Sequence, residues 1–140
     1  MTKILVTGSE GYVGQVLLPK LMGRGFDVKG YDTDYYEGSL YGRERSYPLI
    51  NKDIRDVDEA DLKDIGAVIH LAGLSNDPMG AMNPENTEDI NYTASLRLAR
   101  IAKEAGVRRF IFSSSCSVYG ISDKSRIAED ADLNQIGRAH

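Results

Sequence analysis

The sequence predicts an α/β fold in which a parallel sheet is built from βαβ units. Short β-branched or apolar runs alternate with longer stretches of helical periodicity. The first such run, ILVTG, passes through three glycines, Gly8, Gly11 and Gly14, directly into the first helical stretch. Near the other end, RRFIFSSSCSVYG turns from an apolar run into hydroxyls, a thiol and a tyrosine. Open parallel sheets bind ligands beyond the carboxyl ends of their strands, and a strand that finishes in polar side chains fits such an edge.

Taken in order, strands are expected at Lys3 to Thr7, Asp27 to Tyr31, Tyr47 to Ile50, Ala67 to Leu71 and Arg109 to Phe112. Helices are expected at Tyr12 to Arg24, Asp58 to Lys63 and Pro84 to Ala105, with Gly25 and Gly106 as C-terminal caps. Pro19 removes one helical hydrogen bond and is expected to kink or shorten the first helix. The stretch Tyr31 to Tyr47 holds five of the eight tyrosines together with Gly38 and Gly42, which predicts a surface loop, either simply packed or covering a ligand.

A chain of 140 residues is sized for one domain, which typically buries about 70% of its unfolded surface. Its 41% hydrophobic and 27% charged residues are ordinary for a globular protein, and a net charge of -4 offers no footprint for nucleic acid. Cys116 is the single cysteine and the histidines are His70 and His140, so neither an internal disulfide nor a zinc cluster is expected. A reducing, cytoplasmic setting fits, and no signal peptide, membrane span or lipid anchor is legible.

The glycine-rich turn carries the most specific chemistry. Glycine at the turn and at the helix entry lets backbone approach a pyrophosphate, and the helix N-terminus beginning at Tyr12 and Val13 offers N–H donors and a positive dipole end. The spacing is G-x-x-G-x-x-G rather than G-x-G-x-x-G. Asp32 closes the second strand, where an acidic side chain accepts hydrogen bonds from a ribose diol and repels a 2′-phosphate, so NAD is expected over NADP. Thr33, where a phosphate-binding arginine would be expected, agrees.

TGSEGYVG, DIRD at 53 to 56, HLAG at 70 to 73 and SSSCSVYG at 113 to 120 occur in one order across about residues 1 to 135. Together they resemble the extended short-chain dehydrogenase/reductase family, the NAD-dependent nucleotide-sugar epimerases and dehydratases. The resemblance implies a Rossmann-type doubly wound parallel sheet with NAD along its carboxyl edge. It places Asp53 and Ile54 beside the adenine, and Leu71, Ala72 and Gly73 on the path towards the nicotinamide. His70 has no catalytic role in the family and is expected to be a satisfied core residue, and Asn91 is expected to hydrogen-bond behind the active site. Within the serine run, Ser115 corresponds to the catalytic hydroxyl, while Ser113 and Ser114 line the cofactor.

Family 4,6-dehydratases carry an Asp-Glu pair directly after that serine; here Cys116 and Ser117 stand there. Elimination of water needs an acid and a base, so epimerisation or simple oxidoreduction is favoured, and Cys116 is expected to be a small buried residue. The family's base, the tyrosine of a Y-x-x-x-K motif, has no counterpart, since Asp123 follows Tyr119 four positions on. The expectation is therefore the N-terminal NAD-binding part of a nucleotide-sugar epimerase, truncated before the later strands and the substrate-binding portion and inactive by itself. The intact parent would take a nucleotide-sugar and is compatible with a homodimer; nucleic acid, membrane and metal are not expected. A nucleotide-sugar reductase or dehydrogenase, and a non-enzymatic NAD(H)-binding regulator, are the rival readings. The loop GLSNDPMGAMNP at 73 to 84 is a candidate substrate border. The last five residues, IGRAH at 136–140, follow no cap or strand logic and resemble translated read-through of a sequencing adapter, so they are expected to be non-native.

Overall fold

The computed structural model describes residues 2–35, 45–75, 82–120 and 127–133. Five strands form one parallel sheet: β1 (Lys3–Thr7), β2 (Asp27–Asp32), β3 (Leu49–Asn51), β4 (Ile65–His70) and β5 (Arg109–Phe112), in the order β3-β2-β1-β4-β5. The α-helices are α1 (Tyr12–Gly23), α2 (Pro84–Glu88) and α3 (Ala94–Glu104). Because the chain winds outward from β1 in both directions, the order reverses between β1 and β4, and a crevice opens there beyond the strand ends.

Alternation within β1 sends its side chains into two cores. Ile4 and Val6 join Leu18 of α1, Val28 and Ala67 on one face. Leu5 joins Tyr31, Ile54, Leu62, Val68 and, from α3, Ala94, Leu98 and Ala102 on the other. Helices on both faces make the sheet doubly wound, as the sequence predicts, and explain why the central strands are apolar throughout. Leu98 is fully buried, and truncating such a leucine to alanine costs about 2–5 kcal/mol.

Several boundaries differ from expectation. β4 begins at Ile65, two residues earlier than predicted, because a register shift beside Lys3 pairs that residue with Ile65. β3 begins at Leu49 rather than Tyr47: Pro48 has no N–H to give a ladder, and Tyr47 turns its phenol onto Glu10 instead. α1 runs through Pro19 to Gly23, so the proline does not shorten it. Gly25 and Gly106 do adopt the left-handed conformation expected of caps.

The helix expected at Asp58 to Lys63 is a 3-10 turn, Glu59–Leu62, closed by a reciprocal capping box between Asp58 and Asp61. The single helix expected from Pro84 to Ala105 is interrupted by a π-turn, Asp89–Thr93, between α2 and α3. Short 3-10 turns at Ile54–Asp56 and Cys116–Tyr119 were not legible in the pattern. Most of the tyrosine-rich loop, the tail at 136–140 and the side chains of Cys116 and Ser117 lie outside the described residues. Among the described residues no helix is long and apolar enough to cross a membrane.

Candidate functional site

At the crevice, the β1–α1 turn is shaped by contacts that exclude any side chain. Gly8 has φ of 69°, and a Cβ there would stand 2.7 Å from the Ala72 backbone nitrogen. A Cβ on Gly14 would stand 2.4 Å from the Gly8 and Ser9 carbonyl oxygens, so α1 packs against the turn only as glycine permits. Gly8 N–H donates to the Tyr31 carbonyl at 2.9 Å, which ties the turn to β2. Gly11, the N-cap of α1, makes no side-chain cap, and the first turn of the helix holds no acidic residue. N–H groups at such a helix start have no intrahelical partner and present a positive dipole end to an anion.

A cleft of about 1240 Å³ opens from this turn. Gly8, Gly11, Tyr12, Val13 and Gly14 line one side, Leu71, Ala72, Gly73, Leu74 and Ser75 follow β4, and Phe112, Ser113, Ser114 and Ser115 follow β5. Most of the residues singled out in the sequence therefore meet in one place. Ser113 N–H continues the β4–β5 ladder by donating to the His70 carbonyl at 3.1 Å. Ser115 is half-buried while Ser113 and Ser114 are exposed, and the Ser115 carbonyl accepts from Val118 N–H at 3.4 Å as the 3-10 turn begins.

Asp32 adjoins the cleft rather than lining it. Its Oδ2 accepts the Glu10 N–H at 2.9 Å and its Oδ1 the Asp34 N–H at 3.1 Å, so the turn and the carboxylate hold each other. Asp53 and Ile54 also stand apart from the lining residues. Arg55 grips Asp53 with two bonds, Nε to Oδ1 at 3.0 Å and Nη2 to Oδ2 at 2.8 Å. That bonding holds the Asp53 carboxyl below its ordinary range, and the Ile54 side chain enters the core.

His70 is 1% exposed, and its proton positions follow from its neighbours. Ser95 Oγ donates to the Asn91 carbonyl at 2.7 Å, so it accepts from His70 Nε2–H, also at 2.7 Å. Nδ1 is then the acceptor for the Thr7 hydroxyl at 2.6 Å, and Thr7 Oγ1 accepts the Ala72 N–H at 3.3 Å. The imidazole is neutral, and burial lowers its pKa to about 4. The core role expected of His70 is the one the fold gives it.

Asn91 lies in the π-turn and lines the cleft. Its side-chain amide donates to the Leu74 carbonyl at 2.9 Å and accepts the Leu74 N–H at 2.7 Å, which fixes the loop after β4. Gly73 fits beneath it because a Cβ would come within 3.1 Å of Asn91 Oδ1. Sequence reasoning missed Glu88, Tyr92 and Thr87 in the lining; Thr87 and Glu88 precede Asn91 by four and three positions, and Tyr92 follows Glu88 by four, the spacings that put side chains on one helical face. It also missed a polar cluster behind Asp32, in which Glu10 accepts from both Arg45 and Tyr47. Burial and the bond to Glu10 push the Tyr47 phenol up, keeping it a donor. No group of three His, Cys, Asp or Glu suited to a metal ion occurs among the described residues.

Comparison with known proteins identifies the arrangement. The profile of the NAD dependent epimerase/dehydratase family matches residues 4–138. UDP-glucose 4-epimerase of Lactobacillus helveticus is 33% identical over 147 aligned positions, covering 96% of this chain and 42% of that protein. UDP-glucose 4-epimerase from Stenotrophomonas maltophila, solved with NAD and formylated UDP-arabinopyranose, superposes with a TM-score of 0.89 at 28% identity, over 99% of this chain and 44% of the other. The NAD-dependent NDP-hexosamine 5,6-dehydratase TunA superposes with a TM-score of 0.88 at 27% identity, over 98% and 45%. The chain thus spans somewhat under half the length of these proteins. It belongs to the NAD dependent epimerase/dehydratase family.

Proposed function

We propose that this chain is the N-terminal, NAD-binding part of a nucleotide-sugar epimerase. The observation that carries the reading is the convergence of the Gly8–Gly14 turn and Ser115, more than a hundred positions apart, on one cleft at the strand-order reversal. The residues fit the dinucleotide: glycines leave room where a Cβ would collide with backbone, and α1 directs its uncapped start at the same space. Asp32 supplies an acceptor for a ribose diol and opposes a 2′-phosphate, which favours NAD over NADP. Asp53 and Ile54 serve the adenine end, and Leu71, Ala72, Gly73 and Ser113 the path to the nicotinamide end.

NAD supplies a reversible hydride acceptor when bound. Ser115 donates its hydroxyl to the sugar oxygen on which charge develops as its proton leaves, an interaction strongest in the transition state. Asn91 keeps the Leu74 loop closed on the cleft, and the neutral His70, in the cleft wall, ties β4 to Thr7 of β1 and Ser95 of α3. The proton-accepting tyrosine and the nucleotide-sugar pocket are assigned to sequence beyond this chain. β5 is an edge strand of the sheet, and its consecutive residues Ile111 and Phe112, which point to opposite faces, are about half exposed; this supports further strands there in the longer protein.

Product analysis on the full-length protein tests the reading. With UDP-glucose or a related nucleotide-sugar and catalytic NAD, an epimeric sugar is expected to form without stoichiometric NADH. Net NADH formation would make the protein a dehydrogenase, loss of water a dehydratase like TunA, and tight NAD binding without turnover of any nucleotide-sugar a regulator.

A further inference from the structure

Behind Asp32 a guanidinium sits between two carboxylates. Arg45 Nη2 donates to Asp34 Oδ2 at 2.8 Å and Nε to Glu10 Oε1 at 3.3 Å. The Glu10 and Asp34 side chains are only 2% and 7% exposed, against 25% for Arg45. Both carboxylates are attached through their own backbone N–H groups to Asp32, the residue that ends β2. Arg45 is therefore held two short bonds from the position where a dinucleotide's ribose is recognised.

The cluster is short of donors, not of acceptors. Glu10 Oε2 and Asp34 Oδ1 are both buried without a hydrogen-bond partner among the described residues. An arginine near the end of β2 is the usual means of accommodating a 2′-phosphate. Here, swinging the guanidinium onto a phosphate would strand two buried carboxylates, and an uncompensated buried charge is among the most costly defects a fold can carry.

We propose that Arg45 is a latent 2′-phosphate-binding cation, and that Glu10 and Asp34 set the cofactor preference by holding its guanidinium away from the ribose. Asp32 gives the direct repulsion; Glu10 and Asp34 remove the compensation that Arg45 would offer. The inference rests on the NAD reading above and adds to it two specificity-determining residues beyond the β2 carboxylate. The latch has two holds: Asp34 on the outer nitrogen, Nη2, and Glu10 on the inner one, Nε.

The test is calorimetric titration of the full-length protein with NAD and with NADP, which reads binding and not turnover. Asp34→Asn suits the site, because Asp34 has φ of 54° and asparagine tolerates the left-handed region well; Glu10→Gln keeps shape as well. Combined, the two substitutions are expected to raise NADP affinity about tenfold or more, the scale of one charge-assisted bond to phosphate. Adding Arg45→Met is expected to abolish that gain. Unchanged NADP affinity in a double variant that still binds NAD overturns the latch while leaving the NAD reading intact. So does a gain that survives Arg45→Met. An unmutated protein that binds neither dinucleotide overturns the NAD reading, and the latch with it.

Discussion

His70 Nε2 and Ser95 Oγ stand 2.7 Å apart, joining the end of β4 to the first turn of α3. Because Ser95 spends its own proton on the Asn91 carbonyl, the imidazole must be the donor, and a second proton on the ring would leave Nδ1–H facing the Thr7 hydroxyl at 2.6 Å. The Thr7 hydroxyl can turn to accept such a proton, so what keeps the ring neutral is burial, which penalises its charged form.

Stability is expected to fall in mild acid for that reason. The folded pKa of about 4 lies below the ordinary 6.5, so between those values the unfolded chain binds the extra proton. The contribution is complete above pH 6.5 and is lost as pH falls towards 4. At about 1.36 kcal/mol per pKa unit it amounts to about 3 kcal/mol. Urea unfolding from pH 7.5 to 4.5, compared with His70→Asn, measures it; parallel pH profiles for the two proteins would count against it.

Gly14→Ala is expected to lower stability by about 1–3 kcal/mol through overpacking and to abolish NAD binding, since the added Cβ meets two carbonyl oxygens at 2.4 Å. Gly23→Ala is the control: its Cβ meets nothing within 4 Å, and a gain of about 0.5–1 kcal/mol is expected. Thermal melts and NAD titration of both variants decide the matter. A Gly14→Ala protein that melts and binds normally would show that the turn is not packed as described.

Asp32→Ala is expected to narrow the preference for NAD over NADP. Removing a charge-assisted bond worth about 1.5–3 kcal/mol weakens NAD by about one to two powers of ten. Dissociation constants for both cofactors provide the readout. Equal affinities in the unmutated protein would refute the role given to this carboxylate.

Ser115→Ala in the full-length protein is expected to reduce kcat by about two to three powers of ten while leaving NAD affinity nearly unchanged. Ser114→Ala, altering an exposed neighbour in the same run, is expected to be much milder. Steady-state kinetics with a nucleotide-sugar separate the two. The reverse ranking would move the catalytic hydroxyl one position back.

Without the coordinates, residue order already determined the parallel sheet, the glycine-rich turn and the acidic end of β2. These are local signals: continuous apolar runs report strands buried on both faces, and Gly8, Gly11, Gly14 and Asp32 all fall within one βαβ unit. The hydroxyls after β5 marked a ligand edge, and Ser115 was singled out among them by the resemblance of its run to the family motif. Tertiary structure alone decided the rest. The π-turn at Asp89–Thr93 looks like ordinary helix in sequence; in the fold it holds the asparagine that pairs with both backbone groups of Leu74. Tyr47 resembled a strand residue until Pro48 denied the ladder a donor and Glu10 offered the phenol an acceptor. Arg45 and Glu10 lie 35 positions apart, and no periodicity links them. Their pairing arises because β2 and the glycine turn bring buried carboxylates together, and a buried charge must be met by whatever cation the chain can deliver.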